Sequence, residues 1–243
     1  MIKSIIQIRG LNKTFDTEKR KIEVLKNVNI DISAGEYVLI FGPSGCGKTT
    51  LLNHILGLEV PTHGQIMIKG KDIAKFDAMQ RDEFRARYFG TVYQTAIWMK
   101  SLNVLDNVAL PLYLMGEGTK MAQKQALYAL TKANMFSFAK SVPNELSIGE
   151  QQRINLARAL VTEAPIIIAD EPTGNLDSQA GEILMNTLDG LHRQGRTIIL
   201  VTHNLSYLDR AEKKIAMKDG KVIGEFKENK MPRAIEEALG EAK

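Results

Sequence analysis

The feature that most limits how this chain can fold is an apolar segment that leads directly into a glycine-rich loop. Residues Tyr37–Phe41 read YVLIF, an unbroken apolar run typical of a strand buried on both faces of a sheet. The next residues match the pattern G-x-x-x-x-G-K-[ST] at every position: Gly42, Pro43, Ser44, Gly45, Cys46, Gly47, Lys48 and Thr49. A helical pattern then runs from Thr49 to Leu56. Strand, loop and helix in this order predict an α/β fold with a parallel sheet.

This loop has the residue types that bind phosphate. Its glycines allow successive backbone N–H groups to face one anion, and the positive end of the following helix points to the same place. Lys48 is expected to neutralise the β- and γ-phosphates of a nucleotide, and the Thr49 hydroxyl is expected to bind Mg²⁺. Because Cys46 lies at a helix N-terminus, we expect a thiol with a lowered pKa. An inert thiol shielded by packing is the alternative.

A second apolar run ends in two acidic residues. Pro165–Ala169 is followed by Asp170, which is placed to hold Mg²⁺ directly or through water, and by Glu171. Glu171 can accept a proton from an attacking water as a general base. Gln94 and His203 each follow a strand-like run, and we expect Gln94 to reach Mg²⁺ or the water and His203 to contact the γ-phosphate. For both, an ordinary polar residue at a strand end is the alternative interpretation.

The pattern along the chain predicts an α/β core interrupted by a helical lobe. Short β-rich runs alternate with helices, but from about residue 107 to residue 162 Leu, Ala, Met, Lys and Gln dominate at helical spacing. We assign 95–163 to the lobe and 1–94 with 164–243 to the core. Lys214–Met217 and Lys221–Phe226, joined at Asp219-Gly220, predict a hairpin. The tail from Glu228 is expected to be weakly helical and solvated.

Composition limits the classes of partner. Lys and Arg number 32 against 28 Asp and Glu, and both signs are mixed along the chain. Because the nearest approach to a basic block is the short run Lys19-Arg20-Lys21, no nucleic-acid partner is expected. Apolar runs such as Ile166–Ala169 are far shorter than the roughly 20 residues that span a bilayer. We therefore expect a chain that reaches a membrane only through a partner. The single cysteine excludes an internal disulfide and fits a reducing compartment.

The segment Leu146–Arg153 reads LSIGEQQR and resembles the LSGGQ signature of the ATP-binding-cassette (ABC) family. The other motifs of that family follow in order: Tyr93-Gln94 as the Q-loop, Ala169-Asp170-Glu171-Pro172 as Walker B, Gly174-Asn175-Leu176-Asp177 as the D-loop, and Thr202-His203 as the H-loop. Together with the glycine-rich loop they extend over nearly the whole chain. Residues 170–177 read DEPTGNLD. In this segment and in its compact size the chain most resembles the MacB/LolD branch of the family, which powers macrolide export, lipoprotein release and related tasks.

The resemblance implies a P-loop NTPase with a RecA-like core, an N-terminal antiparallel β subdomain and an inserted helical lobe that carries the signature. It also implies an ATPase that uses ATP and Mg²⁺ and works as a dimer, with each ATP between the P-loop of one copy and the signature of the other. A separate integral membrane permease is the implied partner, at the cytoplasmic side of the cell membrane.

The resemblance also assigns residues to roles. Those implied to bind the nucleotide are Phe15, Gly42, Pro43, Ser44, Gly45, Cys46, Gly47, Lys48, Thr49, Thr50, Ser147, Gly149 and Asp177. Those implied to bind metal are Thr49, Gln94 and Asp170, and those implied to be catalytic are Glu171, His203 and Gln94. Phe15 occupies the place of the aromatic residue that stacks on adenine; a core phenylalanine at a strand end is its alternative.

Two departures from the family pattern leave other functions open. Ile148 replaces the first signature glycine, so either its backbone differs or it adds bulk at the dimer face, and Glu150 replaces the final glutamine. A weakly hydrolysing regulatory cassette is therefore one alternative. A soluble cassette acting on nucleic acid or ribosomes is another, although its usual tandem cassette or coiled-coil insertion is missing.

The apolar segment Ile97-Trp98-Met99 has two interpretations. It is either a core patch or a groove for a helix of the membrane subunit.

Overall fold

A computed structural model describes residues 4–16 and 20–240 of the chain, so Lys19 of the basic run lies outside the described residues. The chain divides into two compact units, residues 1–85 with 195–243 and residues 86–194. The first unit contains the glycine-rich loop. The second contains the three helices of the predicted lobe, two strands and the helix that follows them.

The strands are β1 (Ser4–Asp16), β2 (Lys21–Ser33), β3 (Tyr37–Phe41), β4 (His63–Ile68), β5 (Lys71–Asp72), β6 (Phe89–Val92), β7 (Ile166–Asp170), β8 (Thr197–Val201), β9 (Lys213–Lys218) and β10 (Lys221–Phe226). The α-helices are α1 (Lys48–Ile55), α2 (Ala78–Tyr88), α3 (Val104–Leu114), α4 (Thr119–Lys132), α5 (Ile148–Leu160), α6 (Ser178–Arg193) and α7 (Arg233–Leu239).

The first unit has an antiparallel sheet in the order β2-β1-β4-β5. The predicted N-terminal antiparallel subdomain is thereby confirmed. The register between β1 and β2 shifts between Ile8 and Leu11 and again after Leu11, which interrupts the alternation by which a half-buried strand is recognised in sequence. Apolar side chains such as Ile6 and Leu25 are fully buried and form the core of this part.

Parallel pairing in the first unit centres on β3. This strand pairs in parallel with β8, from Tyr37 opposite Ile198 onward, and with β9 on its other side. All five β3 residues are buried, as the unbroken apolar run predicts. The predicted hairpin of β9 and β10 is confirmed, and its turn residues Asp219 and Gly220 have φ of 47° and 80°. Positive φ at both turn positions matches the right-handed twist of the flanking strands.

The second unit pairs β6 and β7 in parallel, from Phe89 opposite Ile166 to Val92 opposite Ala169. Helix α5 lies directly against β6. A Cβ atom at Gly90 would overlap the backbone oxygen of Ala159, so only glycine permits this approach. Helices α3, α4 and α5 share one apolar core built largely from alanine and branched residues.

Trp98 belongs to that core. Its side chain is 9% exposed and packs with residues such as Val104 and Val108. Its indole N–H donates to Gln151 Oε1 at 2.9 Å, and the guanidinium of Arg158 lies 4.6 Å from the ring centroid. Of the two interpretations of this segment, the core patch holds for Trp98 and the groove does not. The neighbouring Ile97 is 80% exposed.

The C-terminal tail is more ordered than the sequence indicated. Helix α7 buries Ile235 against β10, where a Cβ atom at Gly224 would lie 2.6 Å from Ile235 Cδ1. Met231 is also buried. The expectation of a helical tail is met by α7, whereas the expectation of a solvated tail is wrong for Met231 and Ile235, which are buried. Within residues 4–16 and 20–240, no helix combines the length and hydropathy that crossing a membrane requires.

Replacing the core tryptophan tests this assignment. Trp98→Ala is expected to lower the free energy of unfolding by about 3–5 kcal/mol, the range for removing a large buried aromatic side chain. The exposed Ile97→Ala is the matched control, with an expected change within about 0.5 kcal/mol. The measurement is urea unfolding followed by circular dichroism. Tryptophan fluorescence cannot be used, because Trp98 is the single tryptophan of the chain and the variant lacks it. Equal stability of the two variants would contradict the core position.

Candidate nucleotide site

The glycine-rich loop is held open for an anion by the shape of its backbone. Gly42, Gly45 and Gly47 all have positive φ, of 152°, 77° and 103°. A Cβ atom at Gly42 would overlap the backbone oxygen of Met217, so the loop passes against β9 with no room for a side chain. Gly47 is the N-cap of α1. The loop therefore leads into the N-terminal end of α1, where the first N–H groups of a helix have no intrahelical acceptor and can bind an anion.

Lys48 lies across this loop. Its side chain is 9% exposed, and its Nζ donates to the backbone oxygens of Gly42 at 2.8 Å and Pro43 at 3.0 Å. Both of these hydrogen bonds hold the ammonium to neutral carbonyl oxygens rather than to a carboxylate. Negatively charged phosphate oxygens can therefore replace the two carbonyls as its partners. Thr49 is the next residue of α1 and is exposed.

Cys46 belongs to the same loop, and its side chain is buried. It is 5% exposed, and burial raises the pKa of its thiol despite the opposing effects of Lys48 and of backbone N–H groups. The expected lowering of the pKa is therefore wrong, because the loss of hydration outweighs the helix end. The alternative, a thiol shielded by packing, is the one that the structure supports.

Phe15 lies near the end of β1 and is 36% exposed, so it is not a core residue. The Lys13 ammonium lies 4.8 Å from the centroid of its ring, and the same Nζ donates to the Val60 oxygen at 2.9 Å.

His203 follows β8 in the same unit and is exposed. The stacking of Phe15 on adenine and the γ-phosphate contact of His203 stay predictions.

In the second unit, Asp170 ends β7 and Glu171 follows it with a φ of 45°. The left-handed conformation is unfavourable for a residue with a Cβ atom, and such residues concentrate at functional sites. Gly174 N donates to Glu171 O at 3.1 Å and closes the turn.

The Q-loop residue lies beside this turn. A Cβ atom at Gly174 would lie 3.0 Å from Gln94 Nε2 and 3.4 Å from Glu171 O. The second unit thus brings together Gln94 and the turn that begins at Glu171, although they are far apart in sequence. Strand β6 ends at Val92, so Gln94 lies on a loop two residues further on rather than directly after the strand, where the sequence predicts it.

The signature residues begin helix α5. Ser147 is its N-cap and forms a capping box with Glu150: Glu150 Oε2 accepts from Ser147 N at 2.9 Å and from Ser147 Oγ at 2.7 Å. These hydrogen bonds lower the pKa of the Glu150 carboxyl. Ile148 is the first residue of the helix, is 61% exposed and does not have positive φ. Of the two interpretations of Ile148, added bulk on an ordinary backbone is the correct one.

Asp177 caps helix α6, where its Oδ1 accepts from Ala180 N at 2.8 Å. Gly149 lies close to the same turn, since a Cβ atom there would be 3.5 Å from the Ala180 Cβ, an ordinary contact. The D-loop aspartate therefore has a structural contact of its own, and its role toward nucleotide stays a prediction.

The sequence did not single out three polar residues of α5 that bind backbone oxygens of the Q-loop and of the segment after it. Gln152 and Asn155 are buried and donate to Tyr93 O at 2.8 Å and 3.0 Å. Arg158 donates to Ile97 O at 2.6 Å, and its burial lowers the pKa of its guanidinium. Polar residues every third position on a helix with otherwise buried apolar neighbours are the signal that could have found them.

The sequence matches the ABC transporter family over residues 25–174, which is more than half of the chain. The chain belongs to the ABC transporter family. Its cassette is 39% identical over 219 residues to an uncharacterized ABC transporter ATP-binding protein, MJ1508, of Methanocaldococcus jannaschii, covering 90% of this chain and 98% of that protein.

The cassette is also similar to one part of larger proteins. It is 36% identical over 239 residues, 98% of this chain, to the macrolide export ATP-binding/permease protein MacB of a Shewanella species. It spans only 37% of that protein's length.

Solved structures agree with the fold. The dimeric structure of the bacterial ABC transporter cassette MJ0796 matches with a TM-score of 0.86 and 40% identity, over 91% of this chain and 98% of that one. A second match, with a TM-score of 0.86 and 38% identity, is the post-hydrolysis state of that cassette bound to ADP and Pi. The predicted fold is confirmed, and the chain is an ATP-binding cassette with ATPase activity.

The burial of the loop thiol has a measurable consequence. Cys46 is expected to react with iodoacetamide at least about tenfold more slowly in the folded cassette than in urea, because the thiolate is the nucleophile and burial disfavours it. A raised pKa also means that the rate rises as pH increases toward that pKa. Mass spectrometry of timed reactions gives both rates. Equal rates in the folded and unfolded chain would contradict the assignment.

Proposed function

We propose that this cassette is the ATP-hydrolysing subunit of a membrane ABC transporter or mechanotransmission complex, and that it powers a permease in a separate chain from the cytoplasmic side. The observation that carries this proposal is the loop of residues 42–49, whose backbone and buried lysine form a phosphate cradle at the start of α1. Family membership supports the coupling to a membrane partner. No described residue cluster favours the alternative of a nucleic-acid partner.

In this proposal the first unit binds the triphosphate. The loop N–H groups at the start of α1 surround the β-phosphate, and Lys48 leaves its two carbonyl partners for the β- and γ-phosphates. Phe15 stacks on the adenine with the face that Lys13 does not cover. His203 donates to a γ-phosphate oxygen.

The residues assigned to Mg²⁺ have suitable chemistry. Thr49 offers a hydroxyl, Gln94 an amide oxygen and Asp170 a carboxylate, and oxygen donors of this kind are those that Mg²⁺ prefers. Thr49 and Gln94 are exposed, so both are accessible to an ion. When bound, the ion would neutralise charge on the phosphates.

Glu171 is proposed as the general base. Its position directly after Asp170 and its left-handed backbone turn it away from the line of β7. A carboxylate there can accept a proton from a water in line with the γ-phosphorus. Gln94, held beside the same turn, is suited to orient that water.

A second copy of the cassette completes each site in this proposal. Ser147 and Gly149 lie at the positive end of α5, and both are at least partly exposed. The γ-phosphate bound by one copy would contact this helix end of the other copy. ATP then joins the two copies, and hydrolysis separates them.

Removing the base tests the mechanism. Glu171→Gln keeps the shape of the side chain but cannot accept the proton, so turnover is expected to fall by on the order of 10²-fold or more while ATP binding survives. Loss of one negative charge beside the γ-phosphate also favours the closed state. A stable ATP-bound dimer should accumulate, as measured by size-exclusion chromatography with light scattering, and phosphate release gives the rate.

Lys48→Ala is the comparison variant. It is expected to fail earlier, at tight nucleotide binding, and to give no dimer. Hydrolysis at the parent rate by Glu171→Gln would overturn the assignment of the base, whatever its oligomeric state.

The signature substitution is expected to have a small effect. Because Ile148 is an exposed helix residue with ordinary backbone geometry, Ile148→Gly should change the ATPase rate by less than about tenfold. A larger increase would show that this residue throttles the cassette and would favour a regulatory function. Steady-state phosphate release at saturating ATP is the measurement.

A further inference from the structure

We propose that Gln152 is a positioning residue for ATP hydrolysis, which fixes the spacing between Gln94 and Glu171 by binding the backbone beside each of them. This inference rests on the proposed function, because it takes Gln94 and Glu171 as the residues that act on the attacking water. Gln152 itself does not touch the nucleotide in this proposal.

The geometry is that of a bridge. Gln152 Nε2 donates to Tyr93 O at 2.8 Å and to Pro172 O at 3.1 Å. Tyr93 directly precedes Gln94, and Pro172 directly follows Glu171. A single side-chain amide therefore joins the residue before one catalytic candidate to the residue after the other.

The bridge is buried and uses the full donor capacity of the amide. Gln152 is 4% exposed, so water cannot readily replace either hydrogen bond. An amide nitrogen has two hydrogens, and here each carbonyl takes one. Its own oxygen lies 3.4 Å from Asn155 Nδ2, at the weak end for a hydrogen bond, so the two shorter bonds to the carbonyls hold the amide.

The two residues beside the bridge both lie outside regular secondary structure. Gln94 lies on a loop beyond the end of β6, and Glu171 lies in a turn beyond the end of β7. Neither strand by itself fixes the side chains that follow it. Because the bridge begins on α5, the helix that starts with the signature, a shift of that helix would move both residues together.

Removing the donors should slow the chemical step more than it weakens binding. Gln152→Met retains the length and helix preference of the side chain but has no N–H group. We expect kcat for ATP hydrolysis to fall by about tenfold or more, the effect of misplacing reacting groups by a fraction of an ångström to an ångström. KM for ATP should stay within about threefold, because the phosphate cradle is elsewhere in the chain.

Asn155→Ala is the matched control. Asn155 is as deeply buried and also donates to Tyr93 O, but it has no bond to Pro172 O. This variant loses a buried hydrogen bond without breaking the bridge, so its kcat should stay within about threefold of the parent. Circular dichroism melting of both variants sets an assay temperature at which each is folded. An equal loss of kcat in the two variants would show a general packing effect and overturn the proposal.

Gln152→Glu adds a readout that packing alone would not move. The carboxylate faces two carbonyl oxygens and cannot donate, and burial beside these oxygens raises its pKa. Protonation restores one donor, so the ratio of its kcat to that of the parent should rise as pH falls. A ratio that is flat with pH, or a Gln152→Met protein with the parent kcat, would overturn the proposal. A parent chain without ATPase activity would instead refute the proposed function.

Discussion

Position 42 leaves no room for a side chain, and this steric constraint decides the path of the loop on which the nucleotide site depends. The loop leaves β3 against the backbone of β9, where any Cβ atom would overlap the oxygen of Met217. It is held again at its far end, where Gly220 N donates to Cys46 O at 3.0 Å. A loop held at both ends against one unit has little freedom, so its backbone is arranged before an anion binds.

The same close packing explains why the thiol could not be assigned from sequence. A helix N-terminus favours an anionic thiol, but that effect is weaker than desolvation when the sulfur is enclosed. The pattern G-x-x-x-x-G-K-[ST] specifies where Cys46 lies along the backbone and says nothing of whether it faces solvent. Trp98 is a similar case, since a tryptophan next to an exposed isoleucine is buried or exposed according to which helix packs on it.

Much of the fold could nevertheless be predicted, because it depends on local patterns. The apolar run of β3 and the Asp219-Gly220 turn each need only neighbouring residues to specify their structure. The candidate site residues could be named for the same reason, through motifs that are contiguous in sequence, and their roles toward nucleotide stay predictions. What the motifs omit is the framework between them. Gln152 joins backbone atoms from two distant segments, and no short pattern records a contact between segments.

Helix α5 shows why departures from the signature pattern are tolerated at one end and not expected at the other. At its N-terminus the side chains are largely exposed, Ile148 takes an ordinary helical backbone, and Glu150 completes a capping box that a glutamine can also form. Substitution there changes bulk and charge but leaves no buried group without a partner. One turn further on, Gln152 is buried, and its replacement removes hydrogen bonds to two carbonyl oxygens, of which Tyr93 O keeps its bond from Asn155. Helix α5 is thus expected to tolerate substitution at its exposed N-terminal end and to tolerate it less at the buried Gln152.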